Sequence, residues 1–152
     1  MAPQAVPKQS REQMTQAYGT TVAIGKRAVL LRGPSGSGKS DLALRMIDAG
    51  ALLVADDRTE LCLDNGQIWA TAPNTIAGKL EVRGLGIVDV PYFERVALKL
   101  VADLVPRDQI ERMPERAATT LLDQELPLIR LCAFEVSATA KLRLALTHEA
   151  AP

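Results

Sequence analysis

The run Gly33-Pro34-Ser35-Gly36-Ser37-Gly38-Lys39-Ser40 constrains this chain more than any other segment. Gly33 and Gly38 enclose four residues, and a lysine and a hydroxyl residue follow, a spacing that lets a tight turn wrap an anion. The flanks supply the context that such a turn needs. Ala28-Val29-Leu30-Leu31 is a short apolar, β-branched run that reads as a buried strand, and residues 41–49 read as a helix. Strand, glycine turn and helix in that order predict an α/β fold with the turn at the positive end of the helix dipole. Backbone N–H groups converge there on a phosphate. Lys39 would add a point charge on the outer phosphates, and the Ser40 hydroxyl would sit on a magnesium ion.

The rest of the chain reads as mostly strand. Residues 20–24 and 28–31 flank Gly25-Lys26-Arg27 and form a predicted hairpin leading into the turn. In the helix, Leu42, Ala43, Met46 and Ile47 share one face, and Gly50 is a natural left-handed stop. Residues 51–55 are a continuous apolar run ending in Asp56-Asp57. Asn65-Gly66, between residues 59–63 and 67–71, is a strong hairpin signal. Residues 96–105 are predicted as a central strand, and 106–115 as a charged loop with at most a short helix. Residues 119–131 hold two strand-like pieces around Asp123-Gln124-Glu125, and Ser137 is a candidate N-cap for a final helix to about Leu146. Two helices and many strands predict one strand-rich α/β domain with a mixed sheet. Its expected limits are a flexible lead-in at 1–15, a domain at 16–148 and a tail at 149–152.

Composition narrows the partners. The 18 basic residues balance the 18 acidic ones, so no strong basic field draws the chain to nucleic acid or anionic lipid. No apolar run approaches the roughly 20 residues needed to span a bilayer. Cys62 and Cys132 stand alone in apolar stretches, which predicts reduced core thiols in a cytoplasmic protein rather than a disulfide or zinc site. The single histidine, His148, falls near the end of the sequence, where a solvated side chain is expected. Any general base should therefore be a carboxylate.

Asp56 and Asp57 stand at the C-terminal end of a predicted buried strand, where α/β sheets place their ligand sites. Adjacent side chains on an extended backbone point to opposite faces, so only one can aim at a reacting centre unless the chain bends. One could serve as base and the other orient metal, water or a basic partner. Their proximity to Lys39 is unusual among phosphate-loop enzymes, whose metal-supporting aspartate mostly lies further along. Glu81 and Arg83 alternate with Leu80 and Val82 and should share one face of a strand. Two readings stand for them: a metal and phosphate pair, or a surface ion pair on an edge strand.

Taken together, the run at 33–40, Leu53-Val54-Ala55-Asp56-Asp57-Arg58, and Leu80-Glu81-Val82-Arg83-Gly84-Leu85-Gly86-Ile87-Val88-Asp89-Val90 resemble the catalytic domain of the bacterial HPr kinase/phosphorylase family, in its short single-domain, alphaproteobacterial form. The resemblance covers residues 18–146 and implies a single phosphate-loop kinase domain. It implies transfer of a phosphoryl group from ATP or pyrophosphate, with Mg2+, to a serine of the phosphocarrier HPr, and phosphorolysis of phosphoserine in reverse. It assigns phosphate binding to residues 33–40, with Lys39 gripping the phosphates. Asp57 becomes the proton acceptor, Asp56 its support, Ser40 and Glu81 the magnesium contacts, and Arg83 part of a signature for dephosphorylation. It also implies a homo-oligomer, a hexamer in the family. Tyr18 stands where members usually carry a catalytic histidine. Two other functions fit the residues: a small-molecule kinase or nucleotide hydrolase, with Arg107, Arg112 and Arg116 in a lid, and a nucleotide-responsive binder of HPr with little turnover.

Overall fold

The computed structural model describes residues 13–148. Of the lead-in expected at 1–15, residues 1–12 fall outside these, as does the tail expected at 149–152; Gln13 lies in a turn, and Met14 and Thr15 already belong to the first strand, β1 (Met14–Tyr18). Next come β2 (Thr20–Ile24) and β3 (Arg27–Arg32), which form the antiparallel hairpin expected before the glycine turn. The turn leads into α1 (Lys39–Asp48), whose Leu42, Ala43 and Met46 are buried while Ile47 packs at the margin. Then follow β4 (Leu52–Ala55), β5 (Arg58–Asp64), β6 (Gln67–Thr71), β7 (Lys79–Val82) and β8 (Gly86–Asp89). The long strand β9 (Val96–Leu104), β10 (Ala117–Leu121), β11 (Gln124–Leu131) and α2 (Ala138–His148) complete the described chain.

Strand β9 organises the sheet. It runs parallel to β3 along most of its length, parallel to β11 near its C-terminal end, and antiparallel to β6 near its N-terminal end. Its near-continuous apolar sequence suits a strand covered on both faces, and seven of its nine residues are buried. The nine-stranded mixed sheet continues from β3 through β2 to β4 on one side, and from β6 through β5 to β1 on the other. On one face α1 and α2 pack over Val29, Leu31, Leu100 and Ala102. On the other, the curled β5–β6 hairpin covers Leu30, Leu98 and Val101 with Leu61, Ile68 and Ala70. The hairpin β7–β8 forms a separate two-stranded sheet whose Leu80 and Val82 dip into the helical-side core.

Local chemistry explains most of the turns. Asn65 (φ 54°) and Gly66 (φ 73°) are both left-handed, as a two-residue hairpin between right-twisted strands requires. The β10–β11 turn, by contrast, lies at Leu122 (φ 49°) and Asp123 (φ 62°), so Gln124 and Glu125 belong to β11 rather than to the turn. Leucine rarely adopts that conformation, which is why the sequence pointed one residue too late. The charged stretch after β9 carries only a single 3-10 turn at Arg107–Gln109. Cys132 is a buried free thiol, whereas Cys62 is half-buried and so not a full core residue. His148 is exposed at the end of α2. No helix among the described residues is long and apolar enough to cross a membrane.

One consequence of this topology positions everything that follows. Because β2 is antiparallel to both β3 and β4, the C-terminal ends of β3, β4, β9 and β11 all emerge at one sheet edge. The register aligns them: Thr20 lies opposite Leu31, Thr21 opposite Ala55, Arg32 opposite Asp103, and Leu104 opposite Leu131. Arg32 and Asp103 lock that edge by a two-pronged ion pair at 2.7 and 3.1 Å.

Candidate active site at the glycine turn

The turn at the end of β3 leaves polar groups open at the start of α1. No side chain caps the N-terminus of α1; its N-cap is Gly38. The first-turn N–H groups of a helix have no intrahelical acceptor, so here they are left for a ligand. Ser37 Oγ is buried and has no hydrogen-bond partner among the described residues. The Lys39 ammonium donates to the carbonyl oxygens of Gly33 (2.6 Å) and Pro34 (3.1 Å), so the loop's own oxygens hold it over the turn.

Gly38 has φ 96°, and a Cβ there would stand 2.7 Å from the Ala133 Cβ and 3.2 Å from Phe134 Cζ. Backbone conformation and close packing both demand glycine at this point. Gly38→Ala is therefore expected to push the turn off the β11–α2 loop and weaken binding of phosphate anions there, at a cost of about 1–3 kcal/mol in stability. Calorimetric titration beside a urea melt checks both.

The aspartates separate into two roles. Asp56 is buried and is the structural hub. Its Oδ1 accepts from Thr20 Oγ1 at 3.0 Å and from Ser40 Oγ at 2.9 Å, and its Oδ2 accepts from the Glu81 backbone N–H at 3.0 Å. One carboxylate thus joins β2, the helix start and the β7 strand. Thr20, fully buried, also accepts the Asp57 N–H at 3.1 Å. Sequence reasoning missed Thr20; the only trace was a Thr-Thr pair opening an otherwise apolar strand.

Asp57 is exposed and left-handed, with φ 68°. Its carboxyl makes no hydrogen bond or ion pair among the described residues. Its backbone, however, is pinned, since Gly19 N–H donates to the Asp57 carbonyl at 2.8 Å. The bend at Asp56 and Asp57 supplies the departure from extended geometry without which the two side chains would oppose each other. A non-glycine residue held left-handed at a site costs energy that its surroundings must offset, and such outliers cluster where geometry serves function.

Glu81 is exposed on β7, held beside the hub by its N–H to Asp56. Arg83 is exposed just past the end of β7. The surface ion pair on this hairpin is Lys79 with Asp89 at 2.9 Å, which leaves Glu81 and Arg83 unpaired among the described residues. Tyr18, exposed at the end of β1, pairs with Arg58, so it neighbours Asp57 across the strands.

The opposite flank is also fixed. Arg45, from α1, donates to the Ala133 carbonyl. Glu135 meets Lys141 at 2.8 Å and Arg107 at 3.4 Å, and the Lys141 hydrogen bond holds its carboxyl below the usual range.

Among the described residues no group of three or more His, Cys, Asp and Glu gathers as a metal cage. Magnesium does not demand one; it usually keeps waters and is held by one or two protein groups plus phosphate oxygens. Ser40, held by Asp56, is a donor set of that kind.

Comparison with known proteins gives the family. Residues 9–134 match the HPr serine kinase C-terminal domain. An HPr kinase/phosphorylase of Variovorax paradoxus is 33% identical over 147 residues, covering 91% of this chain and 46% of that protein. One from Clostridium tetani is 43% identical over 77 residues, covering 51% of this chain and 25% of its own. The chain thus spans about half the length, or less, of these relatives. The HPr(Ser) kinase/phosphatase structure from Coxiella burnetii superposes with a TM-score of 0.78 at 24% identity, covering 89% of both chains, and shares the fold. Since the family match takes in the greater part of the chain, from before β1 to the loop that follows β11, the protein belongs to the HPr serine kinase C-terminal domain family.

Proposed function

We propose that this domain transfers the terminal phosphoryl group of ATP to a serine hydroxyl of an HPr-like phosphocarrier. The observation that carries the reading is the division of labour in the acidic pair. Asp56 is consumed by three hydrogen bonds, one of them to Ser40, while Asp57 stands free beside it. A phosphoryl-transfer site needs phosphate positioning, metal support and a group to receive the nucleophile's proton. These residues divide those tasks.

The turn at residues 33–38 and the start of α1 would seat the phosphates, with Lys39 leaving its loop carbonyls for the outer oxygens. Ser40, oriented by Asp56, and Glu81 would hold Mg2+. When bound, Mg2+ neutralises charge on the transferring group. Asp57 would take the serine proton as the serine oxygen bonds to phosphorus and the bond to the leaving ADP oxygen breaks. In the phosphorolytic direction an oxygen of inorganic phosphate would bond to the phosphorus of phosphoserine as its bond to the serine oxygen breaks. Asp57 would return the proton to that serine oxygen, and pyrophosphate would be the product; the family resemblance assigns Arg83 to that reaction. The sequence match to relatives named HPr kinase/phosphorylase supports HPr as acceptor.

Incubation with labelled ATP, Mg2+ and HPr tests the proposal. Label should appear on serine, and Lys39→Ala should lower the rate by about 10²–10³-fold through loss of preorganised charge. Undiminished transfer by that variant, or label released as inorganic phosphate alone, counts against it.

A further inference from the structure

We propose that Phe134 is the stacking platform for the base of a nucleoside triphosphate donor, a role that rests on the phosphate-site reading above and specifies its substrate class. The sheet edge gives a direction to any chain of phosphates lying on the turn. Two strands to one side of β3 lies β4, carrying Asp56 and Asp57; two strands to the other side lies β11, carrying the loop with Phe134. At the usual strand spacing each flank is about 10 Å from the turn. The reacting phosphate belongs at the acidic flank, so the nucleoside end projects toward the loop after β11.

What stands on that flank is a mostly exposed aromatic ring. Phe134 is 68% exposed, yet its ring edge lies against Gly38, the last glycine of the turn. The loop beneath it is rigidly held. Arg45 donates to the Ala133 carbonyl, Glu135 N–H to the Cys132 carbonyl at 3.2 Å, and Ala138 N–H to the Glu135 carbonyl at 3.1 Å. The Glu135 side chain is tied to Lys141 and Arg107. An exposed phenyl on a fixed pedestal presents a π-face without an ordering cost, and bases stack on such faces. Inorganic pyrophosphate has nothing to place there.

The experiment compares calorimetric affinities of MgATP and Mg-tripolyphosphate for wild type, Phe134→Ala and Phe134→Trp. The platform predicts that Phe134→Ala raises the Kd for ATP about tenfold and leaves tripolyphosphate unchanged. Phe134→Trp should retain ATP affinity. Equal weakening of both ligands by Phe134→Ala would make the ring a mere prop for the turn and overturn the inference. So would unchanged ATP affinity, including the case where only the acceptor's KM rises and the ring docks the protein substrate. Wild type binding tripolyphosphate as well as ATP, with no effect of either variant, would overturn the platform while sparing the phosphate site. Failure of wild type to bind either ligand would sink both.

Discussion

Asp57→Asn should abolish most phosphoryl transfer, by about 10²–10⁴-fold, while leaving the fold and nucleotide affinity near wild type. The expectation follows from how Asp57 is held. Its backbone is left-handed, with φ 68°, and is fixed through Gly19 and Thr20, while its carboxyl is free. Asparagine adopts that conformation as readily as aspartate, and no carboxyl partner is lost. What disappears is the capacity to accept a proton. Initial rates of labelled phosphate transfer to HPr, set beside a thermal melt and an ATP titration, separate the two effects. A wild-type rate would remove Asp57 from the chemistry and turn attention to Tyr18, its neighbour across β1 and β5.

Asp56→Ala should be the opposite case, losing stability and activity together. Three donors lose their acceptor at once: Thr20 Oγ1, Ser40 Oγ and the Glu81 N–H. Thr20 is fully buried, so water cannot readily replace the carboxylate there. Leaving such donors unsatisfied costs about 2–4 kcal/mol in total, given about 1–3 kcal/mol for each fully buried group and less where solvent can enter. For a domain of this size that lowers the melting midpoint by about 5–15 °C. Asp56→Asn should be milder, because the amide oxygen can still receive Thr20 and Ser40 while its NH2 faces the Glu81 N–H donor to donor. Melting curves should therefore rank wild type, Asn and Ala in falling order. Equal stability of all three would mean that the carboxylate does not join β7 to the sheet edge.

The glycine turn, the β2–β3 and β5–β6 hairpins, both helices and the central strand were legible because each is specified by a few adjacent residues. Glycine spacing, an Asn-Gly turn and a continuous apolar run all act locally. The acidic pair was legible as a pair, and so was the condition that a bend must follow the strand. Its inner arrangement was not legible from the residues themselves; only the family resemblance assigned Asp57 as acceptor and Asp56 as support. Whether Asp56 or Asp57 would meet Ser40 depends on where β4 stops against β2, and the sequence around Asp-Asp permits either outcome. Thr20 escaped notice for the same reason, since a threonine in a strand normally reads as a β-former. The turn at Leu122 escaped because leucine is a poor left-handed residue, held there by the pairing of β10 with β11.

By itself the sequence determined a glycine turn between a buried strand and a helix and a strand-rich α/β domain, and it pointed to a carboxylate as the candidate base. These follow from local backbone preference and side-chain chemistry. Only the tertiary structure decided that Asp56 is spent on Thr20, Ser40 and Glu81 while Asp57 stands free, and that Phe134 rests on Gly38 at the far flank. Those contacts join residues tens of positions apart, and strand register, set by the packing of the whole sheet, is what brings them together.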